Sequence, residues 1–220
     1  MAETLVITAA ATALGRAAAA ALQREGYALR RTDLLDLTDP TAVAALVGGT
    51  DAIVHLAPTA LVAAHPEAAP GDLLDLAARG THVLYKAALV AGVTRAVQIS
   101  TLAVMDAYPE ELEVTEQWRP RPRPGPAHLA PYLAELVARE FTRDPQLDAP
   151  LSVACLRLAE GDALSLPDAA DAIVRAVAWL RGGARNRGHR FQLYHVADPS
   201  PAARYSSALA QRILGYGRAR

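Results

Sequence analysis

A chain of 220 residues buries roughly 70% of its unfolded surface on folding and needs neither disulfide nor metal to do so. Its 52% apolar and 20% charged residues exclude a disordered chain and fit a globular one. Its net charge of −1, from 22 basic and 23 acidic residues, gives no global pull toward nucleic acid or an anionic membrane.

Strand and helix patterns alternate along the chain. Residues 5–8 form a short β-branched run, read as a buried strand. Residues 14–25 are Ala-rich and stop at Gly26, as a helix does. Residues 28–32 read as a second strand, and 34–37 as a third. Asp39 and Pro40 open a helix through residue 47, with Pro in its first turn. Residues 52–55 make a fourth strand, 70–90 a long helix, and 95–99 a fifth strand. Residues 109–126 are loop-like and carry the alternating tract Arg119-Pro120-Arg121-Pro122-Arg123-Pro124. A helix over 128–143, a strand over 151–158, a helix over 167–180, a strand over 190–196 and a helix over 205–214 complete the pattern. Such alternation predicts βαβ units, a parallel sheet and right-handed crossovers.

Cys155 is the lone cysteine. That excludes an intramolecular disulfide and a Cys-based zinc cluster, and is the usage expected in the cytoplasm. The apolar run over 5–15 follows no positive segment, so it reads as fold and not as a signal peptide. No uncharged stretch of ~18 residues suggests a membrane span. The histidines show no metal-ligand spacing, so no metal is expected.

In a sheet of this kind ligands bind beyond the strand carboxyl ends, where the strand order reverses. The first such place is Thr8-Ala9-Ala10-Ala11-Thr12-Ala13-Leu14-Gly15. It has the strand–turn–helix context of a phosphate loop. Of the glycines such a loop uses, Gly15 is present, and Ala9 and Thr12 stand at the other two positions. Asp33 closes the second strand, where a carboxylate can accept from ribose hydroxyls.

These residues, with Val54-His55-Leu56-Ala57, Ile99-Ser100-Thr101, Pro131-Tyr132, Leu156-Arg157 and the closing Leu214-Gly215-Tyr216, resemble the extended short-chain dehydrogenase/reductase family, in its NAD-dependent epimerase/dehydratase group. The resemblance runs over nearly the whole chain. It implies a single α/β domain with a Rossmann-like, doubly wound parallel sheet of about seven strands and helices on both faces. Residues 1–160 would form the nucleotide-binding-type core, and 161–220 a reduced C-terminal substrate lobe.

By the same resemblance, NAD or NADP would contact Thr8, Ala9, Thr12, Leu14, Gly15, Asp33, His55, Leu56 and Ala57. Thr101 falls on the catalytic Ser/Thr, and Tyr132 on the Tyr of a Tyr-x-x-x-Lys motif. Leu136 stands at the Lys position, and Glu140 four residues later matches an acid common there. A tyrosine has a pKa near ~10 and is a poor base at neutral pH without a neighbouring cation. His128, four residues before Tyr132, lies on the same helix face and offers a substitute base.

Three readings of function stay open. One is a small-molecule enzyme of isomerase, cyclase or lyase type, using the cleft of Thr101, Tyr132 and His128 without redox. The second is a conventional NAD(P)-dependent epimerase, dehydratase or reductase. The third is a ligand sensor or scaffold. The Arg-Pro tract suggests either a stiff surface loop or a clamp on an anionic substrate. The family's habit of pairing through the helices on either side of strand five suggests a homodimer.

Overall fold

The computed structural model describes residues 2–33, 37–143, 150–182, 190–198 and 204–217. They form six strands: β1 (Thr4–Thr8), β2 (Ala28–Thr32), β3 (Ala52–His55), β4 (Arg95–Thr101), β5 (Ser152–Leu158) and β6 (Phe191–Val196). All pair in parallel, in the order β2-β1-β3-β4-β5-β6. Seven helices alternate with them: α1 (Ala13–Arg24), α2 (Pro40–Val47), α3 (Ala57–Ala64), α4 (Pro70–Val90), α5 (Pro126–Arg143), α6 (Leu166–Arg181) and α7 (Ala208–Ile213).

This is the doubly wound Rossmann-like architecture expected from the sequence, with six strands among the described residues in place of about seven. Residues 34–36 of the expected third strand lie outside the described residues. Leu37 is buried but belongs to no strand. The helix expected from residue 205 starts at Ala208, because Tyr205 pairs instead with Val114 in an isolated parallel bridge.

The central strands are buried on both faces, and Leu5, Val6, Ile7, Ile53, Val54, Val97 and Ile99 have no exposed surface. Helix α4 packs against α2, α3 and α5 on one side of the sheet, and α1 packs against α6 on the other. Side chains fix the helix starts. Asp39 Oδ1 accepts from the amides of Thr41 and Ala42 at 2.8 and 3.3 Å, a cap worth about 1 kcal/mol.

The strand order reverses at β1. The chain first adds β2 on one side and then crosses to place β3 on the other. A crevice therefore opens beyond the carboxyl ends of β1 and β3. Among the described residues, no helix is long and apolar enough to cross a membrane.

Candidate functional site: a cleft at the switch point

The loop after β1 keeps its phosphate-loop shape with one glycine. Ala9 takes a left-handed backbone, φ +52°, at a place where glycine is the usual occupant. A Cβ on Gly15 would sit 2.2 Å from the Ala9 carbonyl oxygen, so that position tolerates nothing larger. Thr12 closes the turn: its hydroxyl donates to the Ala9 carbonyl at 2.8 Å and accepts from the Gly15 amide at 3.0 Å. This hydroxyl is the N-cap of α1. It is consumed by the protein and does not serve as a free ligand donor. The Arg16 guanidinium folds back on the Ala11 carbonyl of the same loop.

Thr8, His55, Leu56 and Ala57, expected as cofactor contacts, are tied to one another inside the protein. Thr8 Oγ1 accepts from the amides of Leu56 and Ala57 at 2.9 and 3.1 Å. Its proton is then left for His55 Nδ1, 2.9 Å away. Thr81 donates to the Ala77 carbonyl at 2.6 Å, so it must accept from His55 Nε2–H at 3.0 Å. Both ring nitrogens are thereby assigned. Burial lowers the His55 pKa to about 3, and the ring stays neutral. The network is a buried brace between β1, β3 and α4.

The cleft itself has a volume of about 530 Å³. Leu14 of α1, Pro58 and Thr59 of α3, Ser100 and Thr101 of β4, and Glu160 beyond β5 line it. Ser100 is 1% exposed, and its hydroxyl has no hydrogen-bond partner. Thr101 donates to Glu160 Oε1 at 2.6 Å and accepts from the Ala103 amide at 3.0 Å. Helix α3 and Glu160 are absent from the sequence reading. The α3 segment has no side-chain cap and almost no polar residue to set a periodicity.

Helix α5 shows the largest departure. It turns Ala127 and Pro131 into the cleft, whereas Tyr132 and Leu136 line a different cavity. Thr101 and Tyr132 are therefore not brought together. The physical reason lies at Glu135. Its carboxylate takes the Arg157 guanidinium of β5 in a bidentate pair, at 2.8 and 2.7 Å, with both side chains buried. Glu135, and not Glu140, is thus the inward acid of this helix. Glu140 is exposed and pairs with Arg143. Counting back four and eight residues from Glu135 gives Pro131 and Ala127, the pair facing the cleft. Pro131 has no N–H, so the helix bond to the Ala127 carbonyl cannot form.

Next to the cleft, sharing Ala159 and Glu160 with it, lies a cavity of about 450 Å³. Asp106 and Tyr205 line it, and the Tyr205 hydroxyl donates to Asp106 Oδ1 at 2.9 Å. Burial, then the Asp106 bond, push the Tyr205 pKa up to about 12, so this tyrosine keeps its proton. His128 Nε2 stands 3.7 Å from Asp106 Oδ2. Asp106, Glu160 and Asp198 face Arg204 in this cavity. Arg204 is already engaged, donating to the Tyr108 carbonyl at 2.6 Å and stacking on the Tyr205 ring.

The loop after β1 keeps a left-handed turn at Ala9 and a bare Gly15 at the start of α1, and Asp33 is exposed at the end of β2. On the α5 side of the cleft, Ala127 and Pro131 carry no polar side-chain group.

The sequence model of the NAD dependent epimerase/dehydratase family matches residues 5–160. No curated protein matches the chain's sequence. Among solved structures, the chain is similar to a glucuronic acid dehydrogenase from Chromohalobacter salexigens, with TM-score 0.79, 22% identity, and 100% of this chain and 85% of that one covered. It is similar to a UDP-glucose 4-epimerase from Brucella ovis in complex with NAD, with TM-score 0.75, 16% identity, and 99% and 94% covered. A short-chain dehydrogenase/reductase superfamily protein from Agrobacterium tumefaciens with bound NAD shares 28% identity over 71% of this chain and 49% of its own, with TM-score 0.58.

Proposed function

The chain belongs to the NAD dependent epimerase/dehydratase family, and on that premise we propose that it is a small-molecule enzyme working by proton transfer alone, not by hydride transfer to a nicotinamide assisted by a Tyr–Lys pair. The observation that carries this reading is the replacement of that pair, on the helix face turned to the cleft, by Ala127 and Pro131. The acid–base groups that remain are carboxylates. Glu160 and Asp106 line one cavity, each held by a hydroxyl, Thr101 for the first and Tyr205 for the second.

The nucleotide in this reading is NAD, bound through the backbone of the loop after β1, with Asp33 accepting from the adenosine ribose. When bound it would supply a redox-active ring. The residues of this chain have no proton acceptor at 127 or 131 to couple to it. Ser100, with its free hydroxyl in the cleft, is the side chain left to meet the bound molecule.

The substrate is a neutral polyhydroxy compound. Three carboxylates against one engaged arginine repel an anion, which argues against the anionic substrate suggested by the Arg-Pro tract. In the reaction, a C–H bond next to a carbonyl breaks and its proton passes to Glu160. The electron pair moves into the carbonyl to give an enediolate, whose oxygen takes a proton from the Asp106–His128 pair. Glu160 then gives its proton to the neighbouring carbon, or to a β-hydroxyl that departs as water, while the Asp106–His128 pair takes back the proton of the enediol hydroxyl. Thr101 holds the Glu160 carboxylate in place, and Tyr205 holds Asp106.

The test is solvent exchange in D2O, followed by NMR on a panel of free aldoses, ketoses and amino sugars, with and without NAD. Expected are exchange at carbon in at least one compound and its loss by about 100-fold, the scale of general acid–base catalysis, in Glu160→Gln and Asp106→Asn. Exchange that survives both substitutions, or a compound that instead reduces NAD at the wild-type rate in Thr101→Ala, would reject the reading.

A further inference from the structure

On the adjacent face of α5 lies a cavity of about 470 Å³ that shares no lining residue with the other two. We infer that it is a second binding site, for a small organic oxyanion: a carboxylate or a phosphate monoester carried on an aromatic body.

The first argument is the state of Arg157. It is fully buried and lines this cavity. Its Nε and Nη2 bind Glu135, but Nη1 finds nothing better than the Met105 sulfur, at 3.3 Å. A guanidinium has five N–H donors, and a thioether is a weak acceptor. A buried cation left with unspent donors is costly unless something accepts from them. An oxyanion is the strong acceptor that the N–H groups left over from the Glu135 pair lack.

The second argument is charge. Arg119 and Arg139 also line the cavity, against Glu116. Glu135 is already committed to Arg157, so the remaining balance is positive. Among the described residues, Arg139 has no carboxylate partner and lies over the Phe191 ring, 4.9 Å from its centroid. Burial raises the Glu116 carboxyl above its ordinary pKa, and its Oε1 already accepts from the His195 amide at 3.1 Å.

The third argument is the wall. Trp118, Tyr132 and Leu136 provide apolar surface beside these cations. The Tyr132 ring belongs to a small second core with Val104, Met105, Val114 and Trp118. The roof is already ordered. The Tyr108 hydroxyl donates to the Arg119 carbonyl at 2.8 Å, the Arg121 amide donates to Val104 at 2.9 Å, and the Arg121 guanidinium stacks on Tyr108 at 4.8 Å. The Arg-Pro tract is therefore a strap bound to residues 104–108, and its Arg119 points to this cavity and away from the cleft. A preformed site spends little affinity on ordering.

The experiment is calorimetric titration of the whole chain with phenyl phosphate, benzoate and inorganic phosphate. Expected is one-site binding of at least one aromatic probe, about tenfold weaker in Arg139→Gln, as loss of a charge-assisted bond implies. Trp118→Ala should weaken the aromatic probes and leave inorganic phosphate unchanged. The tighter of benzoate and phenyl phosphate identifies the headgroup. Saturating NAD should not displace any probe. No binding of any probe at about 10 mM, the practical ceiling for a specific site, would overturn the inference. So would equal affinity in a folded Arg139→Gln variant, or displacement by NAD.

Discussion

Glu135 grips the Arg157 guanidinium at two points, 2.8 Å from Nε and 2.7 Å from Nη2, and this one pair sets the rotation of α5 on the sheet. With Glu135 aimed at β5, Pro131 and Ala127 fall over the cleft and Tyr132 falls beside it. Removing one partner leaves a buried charge with no counterpart. Glu135→Gln or Arg157→Met is therefore expected to cost about 3–5 kcal/mol. The double variant Glu135→Leu, Arg157→Met should recover most of that loss, because an apolar pair of similar volume needs no hydration. Urea unfolding at pH 7 checks both. A double variant no more stable than the weaker single one would show that the loss in the single variants is not the cost of an unpaired buried charge.

The sheet was legible because its strands are short, β-branched and bounded by turn residues; the predicted spans for residues 28–32 and 52–55 match β2 and β3 to the residue. Helix α3 was not legible. Its eight residues are nearly all apolar, it has no side-chain cap, and its stability comes from contact with α4 and α5, which periodicity does not register. The helix carrying Tyr132 was found, but its facing was not. One residue along a helix turns a side chain by about 100°, so Tyr132, one residue beyond Pro131, lines a different cavity. The buried acid that would have fixed the register is Glu135, and sequence alone gave no reason to prefer it over Glu140. The brace at His55 was not legible either: a histidine at a strand end signals a site or a brace equally well until Thr8 and Thr81 are seen against its two nitrogens.

The loop after β1 predicts opposite responses at its two ends. Ala9→Gly removes a left-handed alanine, which relieves about 1–2 kcal/mol, while the flexible unfolded glycine costs about 0.5–1. The net expectation is a gain of about 0.5 kcal/mol, with the loop open to phosphate as before. Gly15→Ala drives a methyl against the Ala9 carbonyl at 2.2 Å. Backbone on both sides leaves it nowhere to go, so a loss of about 3 kcal/mol, the scale of overpacking, is expected together with loss of NAD binding. Thermal unfolding with and without NAD measures all of these.

Pro131 sits in the interior of α5, where proline costs about 3 kcal/mol relative to alanine. Pro131→Ala restores an N–H for the Ala127 carbonyl and forfeits about 1.6 kcal/mol of buried ring methylenes. It is expected to stabilise the fold by about 1 kcal/mol, or 2–4 °C in Tm for a chain of this size. A lower Tm would show that the proline ring is required to pack the cleft wall.

Two buried histidines give the fold its sensitivity to acid. His55 and His195 have no more than 1% of their surface exposed. Burial lowers the pKa of each to about 3, and for His195 the Arg157 charge adds to it. Both are neutral in the folded chain and titrate near 6.5 once unfolded. The unfolded state therefore binds more protons between about 6.5 and 3. Stability is complete above that window and falls as the pH drops through it. Each histidine contributes about 1.4 kcal/mol per pH unit once the unfolded ring is protonated, so the pair together should give about 2.7. Urea unfolding between about pH 7.5 and 5 tests this before the carboxylates titrate. His195→Phe keeps a ring in the site and removes one proton, and it should halve the slope while leaving stability at neutral pH close to that of the parent. A slope unchanged in that variant would mean that His195 is already hydrated and charged in the folded protein.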